Sequence, residues 1–244
     1  MDSVFAVVAL LVASGGLLWW RQYRAFRRQI TTLAAAITRM RALAMEDIRY
    51  QSAEGEPMAA DRAEYFRDAS QALAQEGFRE MGDVLEIEAN GSVGGRTRWF
   101  VDQSGTVCGW FGVAGGQPGI PHTPAMQIFS ESSAGQFWAT NRGGSTVSLT
   151  KPPFLHVSYM AWDSGLPEQV RQHRQRLGSN RSELTRLATL EDATSLLQRL
   201  RASVRQWRAG RPSRQLLEED LRTLLQDRHD ELAPALLGQL TEAR

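Results

Sequence analysis

The spacing of apolar positions changes several times along the chain, and each change marks a predicted element. From Val4 to Trp20 the residues VFAVVALLVASGGLLWW carry no charge and would span roughly 25 Å as a helix. Trp19 and Trp20 close this run with rings suited to the headgroup level, and Arg21, Arg24, Arg27 and Arg28 follow at once. A cleaved signal peptide would need a basic start and a small-residue cleavage site, whereas this chain opens Met1-Asp2-Ser3 and the run ends in tryptophans. The pattern predicts a transmembrane anchor over residues 1–20, with the arginines and everything after them in the cytoplasm.

Residues 21–50 contain no Pro or Gly and read as a helical stalk. Phe26, Ile30, Leu33, Ile37 and Met40 recur at alternating spacings of four and three, the seam of a short heptad repeat. Such a stripe must be covered, either by the same stripe of a second copy or by another part of this chain. The first alternative makes these residues candidates for homo-oligomerisation. Gln51–Met58, with Gly55 and Pro57, reads as a linker.

Residues 59–178 carry the pattern of an α+β domain. A helix is predicted over Ala59–Gln75, with Ala63, Phe66, Ala69, either Ala72 or Leu73, and Ala74 near one face. Strands are predicted over Phe78–Ala89, Arg96–Val101, Thr106–Val113, Ala125–Phe129, Gln136–Thr140, Ser145–Leu149 and Phe154–Met160, separated by turn signals such as NGSVGG, DQSG and NRGG. No connection in this stretch looks like a crossover helix, so a small antiparallel sheet flanked by helices is expected. Leu166, Val170, His173 and Leu177 mark the buried face of a helix that would close over it. Residues 181–244 show leucine stripes broken at Gly210 and Pro212, predicting a C-terminal helical region whose faces pack together or on a protein partner.

Composition narrows the function classes. The 28 basic and 27 acidic residues leave a formal net charge of +1, which does not support a nucleic-acid binder. Cys108 is the single cysteine, so the chain has no internal disulfide and no cysteine-based metal cluster. His122, His156, His173 and His229 lack metal-ligand spacing, and the glycine runs GVAGGQPG and GSVGG lack the lysine and following helix of a phosphate loop. Cys108 with His156 is the one nucleophile and base pairing to weigh, and no third group orients it. The expectation is a chain with no catalytic residue, no metal and no cofactor. Gly109 and Gly112 leave space in a strand, and with Trp110, Phe111 and Trp138 they form the candidate lining of a small-molecule site.

The segments GFREMGD (Gly77–Asp83), DQSGTVCGWF (Asp102–Phe111), Ser130–Gly144, KPPF (Lys151–Phe154) and QVRQHRQRL (Gln169–Leu177) resemble, in order, an uncharacterised bacterial α+β domain spanning about residues 77–177. The resemblance implies a fold and carries no activity or ligand. With the anchor it implies a single-pass protein of the bacterial inner membrane. Two uses follow as expectations: a membrane-tethered interaction or scaffold module without catalysis, or a small-molecule sensor on an oligomeric anchor.

Overall fold

The computed structural model describes residues 2–58, 60–114, 123–142, 149–161, 163–178 and 183–242, and the side chains among them other than those of residues 2–19, 43, 61, 114, 123, 124 and 242. The chain folds as mixed α+β and divides into two units, which do not follow chain order. One comprises residues 45–146 and 151–211, the other residues 1–44, 147–150 and 212–244.

The first unit is built on a seven-stranded sheet in sequential order, β1 (Arg49–Ser52), β2 (Phe78–Ile87), β3 (Val93–Asp102), β4 (Cys108–Ala114), β5 (Thr123–Glu131), β6 (Phe137–Arg142) and β7 (Leu155–Met160). Helices cover both faces. Between β1 and β2 runs α2 (Ala60–Gln75), and after β7 come α3 (Leu166–Leu177) and α4 (Leu190–Ala209). On one face Phe66, Ala69 and Leu73 of α2, with Val170 and Leu177 of α3, pack on Phe100, Phe111, Met126 and Ile128. On the other, Ala193, Leu196 and Leu197 of α4 pack on Trp99, Val101, Cys108, Phe129 and Ala139. Burial on both sides explains why β4 and the Trp99–Val101 end of β3 read as continuous apolar runs rather than a polar and apolar alternation.

Asp102 fixes the β3–β4 turn. Its carboxylate accepts hydrogen bonds from the backbone N–H groups of Thr106 and Val107 and from the Ser104 hydroxyl, and Gly105 takes a φ of 74° that other residues resist.

Several expectations change. Arg49–Ser52, read as stalk and linker, pairs antiparallel with β2 as an edge strand; four residues are too short to show a period. The sheet is not wholly antiparallel, because β6 and β7 pair parallel. The described part of the return between them, residues 149–154, contains no helix. Its Leu149 joins the core of the other unit, and the Thr150 N–H donates to the Asp220 carboxylate there. The predicted strand Ser145–Leu149 lies outside the described residues except for Leu149, which is not in a strand. Leu184 and Leu187, three apart as on a helix face, belong to an extended strap instead. The Thr185 N–H donates to the Glu131 carbonyl and the Leu187 N–H to the Gly105 carbonyl, so Leu184 enters one face of the sheet core and Leu187 the other. A helix then starts at a capping box in which the Thr189 hydroxyl accepts from the Asp192 N–H and the Asp192 carboxylate accepts from the Thr189 N–H.

The second unit is helical. The first helix, α1 (Asp2–Met45), runs 44 residues without a break, and α5 (Ser213–Leu225) and α6 (His229–Glu242) pack on its second half. Ile30, Ala34 and Ile37 are buried against Leu217, Leu221 and Leu224 of α5 and Leu232, Ala233 and Leu236 of α6, with Leu33 and Met40 at the margin. Asp220, fully buried, lies 3.6 Å from Arg41 and ties α5 to α1. The heptad stripe is therefore covered by this chain's own C-terminal helices. Among the described residues, no helix is long and apolar enough to cross a membrane; the side chains of the apolar run, Trp20 excepted, lie outside the described residues.

Replacing Ile37, 3% exposed, with Ala should cost about 2–5 kcal/mol by opening a cavity in this core. Hydrogen exchange on the full chain should then show faster exchange in α5 and α6 and none of that change in β3 and β4. Unchanged α5 and α6 peptides would mean that the stripe is covered by something other than the C-terminal helices.

Candidate functional site

The most polar part of the sheet core centres on His173. Both ring nitrogens meet hydroxyls, Nε2 at 3.1 Å from Ser130 Oγ and Nδ1 at 3.0 Å from Thr140 Oγ1. Partners further out settle the direction of each bond. The Ser130 hydroxyl donates to the Thr106 carbonyl, so it accepts from an Nε2–H. Thr140 Oγ1 accepts from the Arg176 guanidinium and from the Ser158 hydroxyl, so its own proton goes to Nδ1. The chain of donors thus runs Arg176, Thr140, His173, Ser130, Thr106, and it fixes a neutral imidazole with its proton on Nε2. Burial, with the positive charges of Arg176 and Arg174 behind it, lowers the His173 pKa to about 3. An imidazole that donates to Ser130 is not a base for it. Ser130 and His173 resemble a nucleophile pair in composition and are a satisfied core network in geometry.

A second cluster lies on β2 and β3. Asp83 accepts from Nε and Nη2 of Arg96 and from Nε and Nη2 of Arg98, the shortest contacts being 2.7 Å. Burial works against the Asp83 carboxylate, but the hydrogen bonds from Arg98 and Arg96 outweigh it and hold its pKa below the ordinary value. A cavity of about 390 Å³ opens beside this cluster, lined also by Ser52, Gly55, Glu80 and Leu190. Because both guanidiniums are engaged by Asp83, the arrangement is a structural clamp between strands.

The candidate ligand residues do not converge. Alternation along β4 sends Trp110 and Gly112 to the α4 face, and Gly109 and Phe111 to the α2 and α3 face. Phe111 packs edge-on against Phe66 at 5.4 Å, and Trp138 packs on the same face while stacking on His156. The space over Gly109 is filled, since a Cβ there would meet the Gln127 carbonyl oxygen at 3.2 Å and Met126 Cε at 3.4 Å. Over Gly112 the neighbour is Thr97 Cγ2 at 3.1 Å. Cys108 is buried, and burial pushes its thiol pKa far up, away from the reactive thiolate. His156 sits on β7, three strand spacings from β4, roughly 14 Å away at the usual separation. No thiolate–imidazole pair forms. His122 lies outside the described residues, and among the described ones no group of His, Cys, Asp and Glu is placed to hold a metal ion.

In the helical unit the exposed end of α1 is different in kind. Trp20 and Tyr23 are each 45% exposed and Phe26 is 36% exposed, large rings held in the open on a helix that buries Ile30 one turn later. Arg24 stacks on Trp20 at 3.9 Å and Arg27 on Tyr23 at 5.6 Å. Arg21 and Arg28 are exposed beside them, and among the described residues none of the four arginines pairs with a carboxylate. Of the stalk residues proposed for self-association, Ile30 and Ile37 are buried within the chain, Leu33 and Met40 are partly covered, and Phe26 alone keeps an open ring. The aromatic and arginine collar is the surface least explained by packing within the chain. The His173 network was not legible beforehand, because Ser130 read as the start of a turn and Thr140 as the end of a strand, and their meeting with His173 depends on the β5–β6 register.

The neutral, depressed imidazole gives a pH dependence. With a folded pKa of about 3 against an unfolded 6.5, the unfolded chain binds the extra proton between those values, so stability is unaffected above pH 6.5 and falls as pH drops below it. The expected slope is at most about 1.4 kcal/mol per pH unit, absent in His173→Gln. Nitrogen-15 NMR of the imidazole at pH 5 should show the neutral Nε2–H form; a charged ring at that pH would contradict the direction of the chain of bonds.

No protein-family model, no curated protein and no solved structure matches this chain.

Proposed function

We propose that the chain is a membrane-tethered, non-catalytic module that holds a rigid α+β domain at the cytoplasmic surface of a bacterial inner membrane. The observation that carries this reading is the continuity of α1. One helix leads from the uncharged run Val4–Trp20, through the exposed Trp20, Tyr23 and Phe26 with their arginines, into the intramolecular core at Ile30. Rings and arginines left open at that point suit the boundary between hydrocarbon and water, where both are favoured. In bulk water the same rings gain nothing by exposure.

The non-catalytic half of the reading is supported by the chemistry of the core. The buried thiol is inert, the buried imidazole is locked as a donor, and the Asp83 clamp has both arginines engaged. Partner binding would use surfaces other than those the leucine stripes suggest. Both sheet faces carry helices, and the apolar faces of α5 and α6 are spent on α1. Self-association through Phe26 and the open rings is compatible with this arrangement.

Membrane fractionation tests the proposal. The full chain should stay in the membrane pellet through an alkaline carbonate wash, and deletion of residues 2–20 should release a folded protein to the supernatant. Release of the full chain by the wash would exclude a spanning anchor.

A further inference from the structure

Beside the collar, α1 and α6 enclose a groove of about 410 Å³. Tyr23, Phe26 and Ile30 form one wall, Pro234, Ala235 and Gly238 the other, and Arg27, Thr31 and Gln239 supply the polar atoms. Gln239 Nε2 donates to Thr31 Oγ1 at 3.0 Å, closing the groove at the end away from the apolar run. No carboxylate is among these residues.

Gly238 is the telling position. It lies inside a helix, where glycine costs about 1 kcal/mol relative to alanine. A Cβ built there meets nothing within 4 Å, so no neighbour requires its absence. Gly238 lines the groove, and the space beside it is open enough that a Cβ alone would not fill it. The second observation is charge. Arg27 lines the groove, Arg21, Arg24 and Arg28 are exposed on the same turns of α1, and none of the four is neutralised by a carboxylate among the described residues. The third is depth. Along a helix Tyr23 and Phe26 stand roughly 5 and 9 Å beyond Trp20, which spans the headgroup layer of a bilayer whose hydrocarbon ends at the tryptophans.

We infer that this groove is a docking site for one anionic phospholipid, its phosphate on Arg27 and its glycerol and upper acyl segment against Phe26, Pro234 and Gly238. The inference rests on the membrane-tethered reading above. A zwitterionic lipid offers the same apolar segment, but its ammonium is repelled by the arginines. Each arginine near an anionic surface is worth about a fivefold preference, so the selectivity should come from the arginines and the fit from the groove.

The test uses the full chain in nanodiscs of phosphatidylcholine containing one fifth phosphatidylglycerol, with native mass spectrometry reading the lipids retained after the disc is stripped. The expected result is one retained phosphatidylglycerol in preference to phosphatidylcholine. Arg27→Gln should lower that preference about fivefold. Gly238→Leu, which fills the groove, should abolish retention, while Gly238→Ala, which favours the helix without filling the space, should keep it. Arg171→Gln, in the other unit and paired with Glu168, should change nothing. Incorporation into discs with equal retention of the two lipids, or retention that survives Gly238→Leu with helicity intact, overturns the lipid site alone. Failure of the chain to enter discs at all overturns the tether as well.

Discussion

The burial of one stripe, Ile30, Ala34 and Ile37, against α5 and α6 sets most of the remaining organisation. Left uncovered it would expose a contiguous apolar face next to the arginine collar. Covering it with α5 and α6 brings distant parts of the chain together: Thr31 and Gln239 are hydrogen bonded across 208 positions of sequence. The sheet unit is thus an insertion between the two halves of a helical unit. The helical unit cannot complete its core without α6, which supplies Leu232, Ala233 and Leu236. Contacts of such sequence separation carry a larger closure entropy than those of a sheet whose neighbouring strands are consecutive.

Inside the sheet unit, polar groups stabilise position more than they supply chemistry. His173, Thr140, Ser158 and Ser130 occupy places where apolar side chains would also pack, yet each finds its partners, and Gln169 adds donations to the carbonyls of Met126 and Thr140. Arg176 reaches across to the carbonyls of Ala139 and His156. These bonds lock α3 to β5, β6 and β7 in one register, where an apolar interface would tolerate sliding. A register slip on β6 would strand several of these donors and acceptors at once, at a cost of about 1–3 kcal/mol for each unsatisfied group.

Much of this was readable where one period persists over enough residues. The face of α3, Leu166, Val170, His173 and Leu177, is buried as its spacing requires, and so are Phe66, Ala69 and Leu73 of α2, whereas Ala63 and Ala74, read on the same face, are exposed. β1 was hidden because four residues with one half-buried position carry no pattern. Leu184 and Leu187 misled, since a spacing of three also fits an extended strap crossing from one face of a sheet to the other. The parallel pairing of β7 was hidden because residues 149–154, which lead into it, carry no helical pattern and so no sign of a crossover. The leucine stripes of α4 and α5 look alike in sequence, and only the partner distinguishes them: α4 covers a sheet and α5 covers α1. The collar, by contrast, was legible as arginines after tryptophans; what needed the structure was the groove that Gly238 leaves open beside it.

The central claim is that α1 passes from hydrocarbon to water at the collar. Cys108 is fully buried, so a second cysteine placed on α1 is the one thiol open to labelling. Spin labels introduced singly from position 6 to position 30 of the full chain in lipid vesicles would report depth by their collision rates with oxygen and with a water-soluble nickel complex. The account predicts a smooth rise in oxygen contact to a maximum near position 12, a reversal to nickel contact at the tryptophans, and a damped signal at position 30, where α6 covers the helix. Nickel contact from position 6 onward, without that reversal, would contradict it.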